Sequence, residues 1–483
     1  MAQVKTADHL ADPLAYRGLA GFAEDFRAGR VTSLAVTQAY LARIDAWDGK
    51  LGAFQHVAHA SALATAKAID ALYAAGTYLG PLMGVPVAIK DVFTIHGMPA
   101  PKVGSRMQLP QVTGEEEGPF IQALRRAGCV FLGQTKAVEL CLGITGVSAP
   151  LGTPWNPYDL DHHRVPGGSS AGSGVAAGAG LCAFAIGTDS GGSVRVPAAY
   201  NGVVGLKTTA GLWPTQGGFP LDPRVDSIGL LTKSAVDAAI AFHAISSCLN
   251  GPAQAQRVPL IELDGLRLGV PENYFFDGLS DQVAQSIVLT QRLLQESGAR
   301  LKKVNVPEAG EREAYFPVAM PASILATLGA DAFNQQKALM DPVVGTRVAT
   351  GLQTKAYEYL ALEEKRQHSI AVVDQRFNAF DAWVSPTTVG PAPLLSDFDD
   401  PAIALSHALG MTRNTQPANY LALCAISLPM PQHEAELPIG IQLMGRGKSD
   451  ATLLAIAVAV ENAIGRQAPP SLPACGIAVA RDM

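Results

Sequence analysis

Two runs dense in glycine and serine stand out as places where chemistry could be done. They are Pro166-Gly-Gly-Ser-Ser-Ala-Gly-Ser-Gly174 and Gly187-Thr-Asp-Ser-Gly-Gly-Ser-Val-Arg195. Glycine lets main-chain N–H groups approach a ligand closely, and serine adds hydroxyls. One reading is a phosphate-binding loop, but there is no Gly-Lys-Ser/Thr ending and no GxGxxG between a strand and a helix. A second is a nucleophile elbow, because Gly168-Ser169-Ser170-Ala171-Gly172 fits G-x-S-x-G with Ser170 as nucleophile. An elbow should follow a buried strand, whereas Asp161 to Pro166 reads as a polar loop. It also needs a later histidine, and His243, His368, His407 and His433 have no distinguishing context. A third reading needs no histidine.

The chain resembles the amidase signature family of serine hydrolases. The matching stretches are Gly80-Pro-Leu-Met-Gly-Val-Pro-Val-Ala-Ile-Lys-Asp91, Pro166 to Ser173, Gly187 to Ala198, Gly202-Val-Val-Gly-Leu-Lys207 and Leu437-Pro-Ile-Gly-Ile-Gln-Leu-Met-Gly-Arg446. They keep the family order over nearly the whole chain. The resemblance implies a catalytic set of Lys90, Ser169 and the nucleophile Ser193, with a cis peptide bond before Ser169. It also places Cys141 at a position facing the acyl pocket, where a small buried hydrophobe is the competing reading.

The chemistry agrees with these assignments. A serine hydroxyl needs a base to take its proton. Lysine can serve only when neutral, and burial lowers its pKa from about 10.4. Lys90 ends the apolar stretch Val85 to Ile89, so a desolvated position is expected. Ser169 can donate and accept at once, which suits a relay between Lys90 and Ser193. The main-chain N–H groups of Ser190, Gly191, Gly192 and Ser193 are the expected oxyanion hole.

Plainer roles compete at several positions. Lys90 beside Asp91 could be a surface ion pair. One of Ser169, Ser170 and Ser173 is expected to cap the following helix. Asp189 and Arg195 read as a structural pair that steadies the nucleophile loop. His162-His163 reads as solvated loop, since adjacent residues rarely aim at one metal ion. The chain departs from the family pattern at Val165, Ala171, Thr208 and Gln134-Thr-Lys136, and none of these removes a catalytic group. Phe219 to Gly229 looks like the stand-alone amidases, and Ala210 to Gly217 lacks the Tyr-Gly typical of the tRNA-dependent amidotransferases.

The elements that must position these groups read as α/β. Ser33 can cap a helix with Leu34, Leu41, Ile44 and Trp47 at helical spacing. A second helix is expected over Ala58 to Ala75, stopped by Gly76, and a third over Pro119 to Ala127, stopped by Gly128. Val85 to Ile89 and Val130 to Leu132 read as strands. Strand and helix patterns then alternate near 171–187, 203–206, 233–247, 267–270, 281–297 and 381–385. The expected fold is the amidase signature fold, a central twisted sheet, mostly parallel or mixed, covered by helices on both faces. One domain over 1–483 is expected, with N-terminal helices in 1–75, a catalytic core over about 80–230 and a helical insertion or cap over about 308–370.

The 483 residues carry 36 Lys+Arg and 42 Asp+Glu, a charge of -6 that does not suit phosphate neutralisation on nucleic acid. Only 16% are charged and 48% are hydrophobic, as in a large buried body and unlike a disordered chain. Six cysteines without CxxC spacing give neither a disulfide scaffold nor a metal site. Met1 to Asp12 shows no signal-peptide pattern, and Gly174 to Gly187 is too short to cross a bilayer. The expectation is a cytoplasmic amidase for linear amides, without cofactor, metal, nucleic-acid or membrane partner. A homodimer is left open. Ester or carbamate cleavage would use the same oxyanion chemistry. The alternatives are an ammonia-delivering role in an amidotransferase-like complex and a non-catalytic binding protein on the same fold.

Overall fold

Residues 12–14, 17–109, 114–251, 257–399, 401–432, 436–470 and 472 are described by a computed structural model, with only the backbone for 401–406. His433 and nearly all of Met1 to Asp12 lie outside the described residues.

Helical spacing near the start yields the helix Ser33–Leu51, which buries Leu41, Ile44 and Trp47. Its cap is Thr32 rather than Ser33: Thr32 Oγ1 accepts from Ala35 N at 3.1 Å, while Ser33 Oγ donates to Gly84 O at 3.1 Å. The helices His59–Ala74 and Pro119–Arg126 follow, and Gly76 and Gly128 take positive φ of 89° and 79° just beyond them.

Eleven strands form one sheet. They are β1 (Phe54–Val57), β2 (Pro86–Lys90), β3 (Val130–Thr135), β4 (Phe184–Asp189), β5 (Val204–Lys207) and β6 (Ser227–Thr232). The others are β7 (Arg267–Pro271), β8 (Arg300–Val304), β9 (Ala382–Pro386), β10 (Cys424–Pro429) and β11 (Gly440–Gly445). Their order is β1-β3-β2-β4-β6-β5-β10-β11-β9-β7-β8. Pairing is parallel at β2/β3, β2/β4, β7/β8 and β7/β9, and antiparallel elsewhere, so the sheet is mixed.

Every residue of β2 and β3 is buried, as is all of β4 but Thr188. Buried strands read as continuous apolar runs, and here they carry Lys90 and Asp189 at their C-terminal ends. Because β2 and β4 run parallel, with Ile89 level with Ile186, those two ends emerge on the same edge of the sheet. That edge is where α/β sheets place their ligands.

The region read as mostly helical holds Arg312–Leu328, Ala330–Gln336, Pro342–Thr350 and Ala356–Arg376. Among the described residues no single helix is long and apolar enough to cross a membrane.

Candidate active site

Lys90 is fully buried at the end of β2. Its Nζ donates to Ser169 Oγ at 2.9 Å and to Thr188 Oγ1 at 2.7 Å. Burial strips water from the ammonium and lowers its pKa; the neighbouring Cys141 side chain, then the carboxylates of Asp226 and Asp189, oppose that shift. The surface ion pair with Asp91 is not what forms. Asp91 is 1% exposed and accepts from the main-chain N–H of Lys102 at 3.2 Å. Burial pushes the Asp91 carboxyl up to about 7.

Ser169 follows a cis peptide bond from Gly168. Its carbonyl accepts from Val138 N at 3.0 Å, which holds it beside the segment leading to Cys141. Cys141 is 5% exposed with φ of 58°, and Leu140 before it has φ of 48°. The Cys141 side chain that follows this left-handed turn lies beside Lys90.

Neither Ser170 nor Ser173 caps the helix Ala171–Gly178 through its side chain. Ser170 Oγ donates to Thr188 O at 3.2 Å, and Ser173 Oγ donates to Ile186 O at 2.8 Å. Both hydroxyls therefore tie the helix to β4. Ser170, the elbow candidate, has no hydrogen bond to a histidine among the described residues.

Ser193 follows β4 by four residues and is 5% exposed. Its carbonyl accepts from Ser170 N at 3.1 Å, so the two Gly/Ser runs are joined through the backbone. Among the described residues no hydrogen bond links Ser169 Oγ directly to Ser193 Oγ. The structure thus brings together the first two members of the expected relay and places the third on an adjoining, tethered loop.

Asp189 shapes that loop. Its Oδ1 accepts from Gly192 N at 2.8 Å and its Oδ2 from Val194 N at 3.1 Å. Arg195 pairs with Asp189 at 2.8 Å, and neither side chain is exposed. The paired guanidinium holds the Asp189 carboxyl well below its usual range, against the effect of burial. Arg195 also donates to Thr415 O, Gln442 Oε1 and Asn419 Oδ1. The pair steadies the loop, as read from the sequence.

The expected oxyanion hole changes in one respect. Gly192 N is committed to Asp189, whereas the N–H groups of Ser190, Gly191 and Ser193 have no acceptor among the described residues. Gly192 is needed for its shape instead. Its φ is 125°, and a Cβ there would lie 2.2 Å from Thr415 Oγ1.

Two neighbours were missed from the sequence. Thr188 is one. Asp226 is the other: it accepts from Ser190 Oγ, and also from Leu221 N at 2.8 Å and Asp222 N at 3.0 Å. Burial pushes the Asp226 carboxyl up to about 7. Away from the site, His163 stacks on Trp155 with centroids 4.0 Å apart. Thr208, one of the departures, donates its hydroxyl to Ile228 O at 2.7 Å.

A buried lysine on hydroxyl partners thus stands beside a serine loop whose amides at 190, 191 and 193 have no acceptor among the described residues. Residues 35–454 match the family described as Amidase, and the chain belongs to that family, an enzyme acting on amides. It is 35% identical over 454 residues to the 2-amino-5-chloromuconic acid deaminase of Comamonas testosteroni, covering 94% of this chain and 97% of the relative. It is 31% identical to the A-type component of the glutamyl-tRNA(Gln) amidotransferase of Chloroflexus aggregans, covering 89% of this chain and 92% of the relative. The fold superposes on the crystal structure of an amidase with a TM-score of 0.83 at 28% identity, over 93% of this chain and 100% of the other. On the native peptide amidase of Stenotrophomonas maltophilia the TM-score is 0.79 at 26% identity, over 95% and 99%.

Proposed function

We propose that the chain hydrolyses a carboxamide through an acyl-enzyme on Ser193. Lys90, neutral in the working state, takes a proton from Ser169 as Ser169 takes one from Ser193. The Ser193 oxygen attacks the amide carbon, and the amides of Ser190, Gly191 and Ser193 receive the developing oxyanion. The C–N bond breaks as the proton passes back to the leaving nitrogen, releasing ammonia or an amine. Water then enters by the same route, and the carboxylic acid leaves. The helices of 312–376 cap this site. Asp341 N donates to Glu139 Oε2 at 2.7 Å, and Arg347 donates to Leu142 O at 2.9 Å.

The observation that carries the reading is the Lys90 side chain. It is wholly buried, and among the described residues it donates to two hydroxyls, with the Cys141 side chain beside it, and forms no ion pair with a carboxylate. Such a lysine can lose its proton and return it through Ser169. The test is a mass-mapped acyl adduct together with the variants Ser193→Ala and Lys90→Ala. Both should lower kcat by about a thousandfold or more, with the adduct on Ser193. An adduct on Ser170, or a dead variant among His243→Ala, His368→Ala and His407→Ala beside an active Lys90→Ala, would sink the mechanism.

The identity to glutamyl-tRNA(Gln) amidotransferases supports a second reading, in which the ammonia is handed to a partner. Purified chain that releases ammonia from simple amides without any partner favours the first.

A further inference from the structure

We propose that Gln416 selects the substrate, donating from its side-chain amide to an acceptor oxygen, above all a carboxylate, on the acyl part of the amide. This deepens the amidase reading and rests on it.

Within Ser190 to Ser193 only Gly191 is part-exposed. Gln416, also part-exposed, stands against it: a Cβ on Gly191 would lie 3.1 Å from Gln416 Cγ and 3.5 Å from its Nε2. The opening onto the nucleophile loop is therefore where Gln416 stands. Phe316 Cε1, 3.6 Å from the same point, gives that opening an apolar wall.

The direction of the Gln416 amide is set by its partner. Arg312 Nη1 donates to Gln416 Oε1 at 2.5 Å. A guanidinium can only donate, so the oxygen must face Arg312 and the NH2 must face away. Among the described residues Nε2 donates to nothing. Arg312 is itself 5% exposed, and it is fixed by Tyr274 OH and by Thr412 Oγ1 at 3.2 Å. Its nearest carboxylate is the exposed Glu313, at 3.5 Å.

The site mouth thus presents a pinned donor with a buried cation behind it. The cation polarises the amide, and both groups favour a negative acceptor over a positive donor. An acyl chain with an apolar stem and an acidic end fits the Phe316 wall and the Gln416 donor together.

The test compares p-nitroanilides of butyric, succinic and 4-aminobutyric acids, which share a similar length and differ in the end group. Wild type should turn over the succinyl substrate with kcat/KM at least about tenfold above butyryl. Gln416→Leu should bring that ratio close to one, mainly through KM. Gln416→Glu keeps an oxygen for Arg312 but presents an acceptor to the site, so it should prefer 4-aminobutyryl to succinyl. Each ratio is taken within one preparation, so the folded fraction cancels. Equal use of butyryl and succinyl by wild type would overturn the proposal. So would a Gln416→Leu variant slowed equally on all three, since the residue would then act on the reacting carbonyl. Wild type that cleaves none of the three, nor any simple amide, would fail the amidase reading itself.

Discussion

Lys90 Nζ sits closer to Thr188 Oγ1, at 2.7 Å, than to Ser169 Oγ, at 2.9 Å. Lys90 therefore has a second hydroxyl anchor, two residues beyond the β4 position that pairs with Ile89. An oxygen acceptor favours the ammonium over the neutral amine, so Thr188 opposes the lowering that burial imposes. Thr188→Val should lower the Lys90 pKa further. On the proposed mechanism activity needs the neutral lysine, so the rising limb of kcat/KM against pH should move to lower pH, by about one unit or less. A limb that moves upward would mean that Thr188 does not act on Lys90.

Arg195→Met should cost about 3–5 kcal/mol of stability, because Asp189 would remain buried without its cation. Arg195→Lys should rescue little. A single ammonium cannot reach Asp189, Thr415 O, Gln442 and Asn419 as the planar fork does. Denaturant midpoints for the two variants check this, and a near-native Arg195→Lys would contradict it.

Asp226 makes stability depend on pH. Its carboxyl titrates near about 7 in the fold but near about 3.9 when unfolded. Between those values the native state binds more protons than the unfolded chain, so stability falls as pH rises through that window. The slope is at most about 1.4 kcal/mol per pH unit. Asp226→Asn cannot titrate and should flatten this fall. Urea midpoints at pH 5 and pH 8 should differ less in the variant than in wild type; parallel curves would refute the assignment.

Glu139 ties the helix Pro342–Thr350 to the segment around 105, accepting from Ser105 Oγ at 2.6 Å and from Asp341 N at 2.7 Å. Glu139→Ala should release the segment around 341–350 before the sheet opens. Hydrogen exchange there should speed up by about tenfold or more while β2 and β4 keep their protection. Unchanged exchange over 341–350 would show that Arg347 and apolar contacts suffice.

What could be read from the sequence was local. The strand at Val85 to Ile89 showed itself as a short apolar run between a turn and a charge, and the helix at Ser33 by its spacing. Its cap was misplaced by one residue because Thr32 and Ser33 are both good caps, and only the approach of Gly84 decides between them. Lys90, Ser169 and Ser193 were singled out by family resemblance. Thr188 lay inside the same matched run, but a threonine on a buried strand carries no chemical signal of its own. Gln416 had none either, since its meaning comes from Arg312, 104 positions earlier. The commitment of Gly192 N to Asp189 depends on a side-chain rotamer that no spacing rule gives.

The loop that carries Ser193 is held by residues made long after it. Arg195 meets its partners at Thr415, Asn419 and Gln442, and β5, paired with β6 on one side, takes β10 as its other neighbour. During synthesis the ribosome must therefore add 220 residues after Arg195 before even the first of these anchors exists. A nascent chain would hold Lys90, Ser169 and Ser193 early but without that support, so on the proposed mechanism the birth of activity is tied to the emergence of β10 and β11.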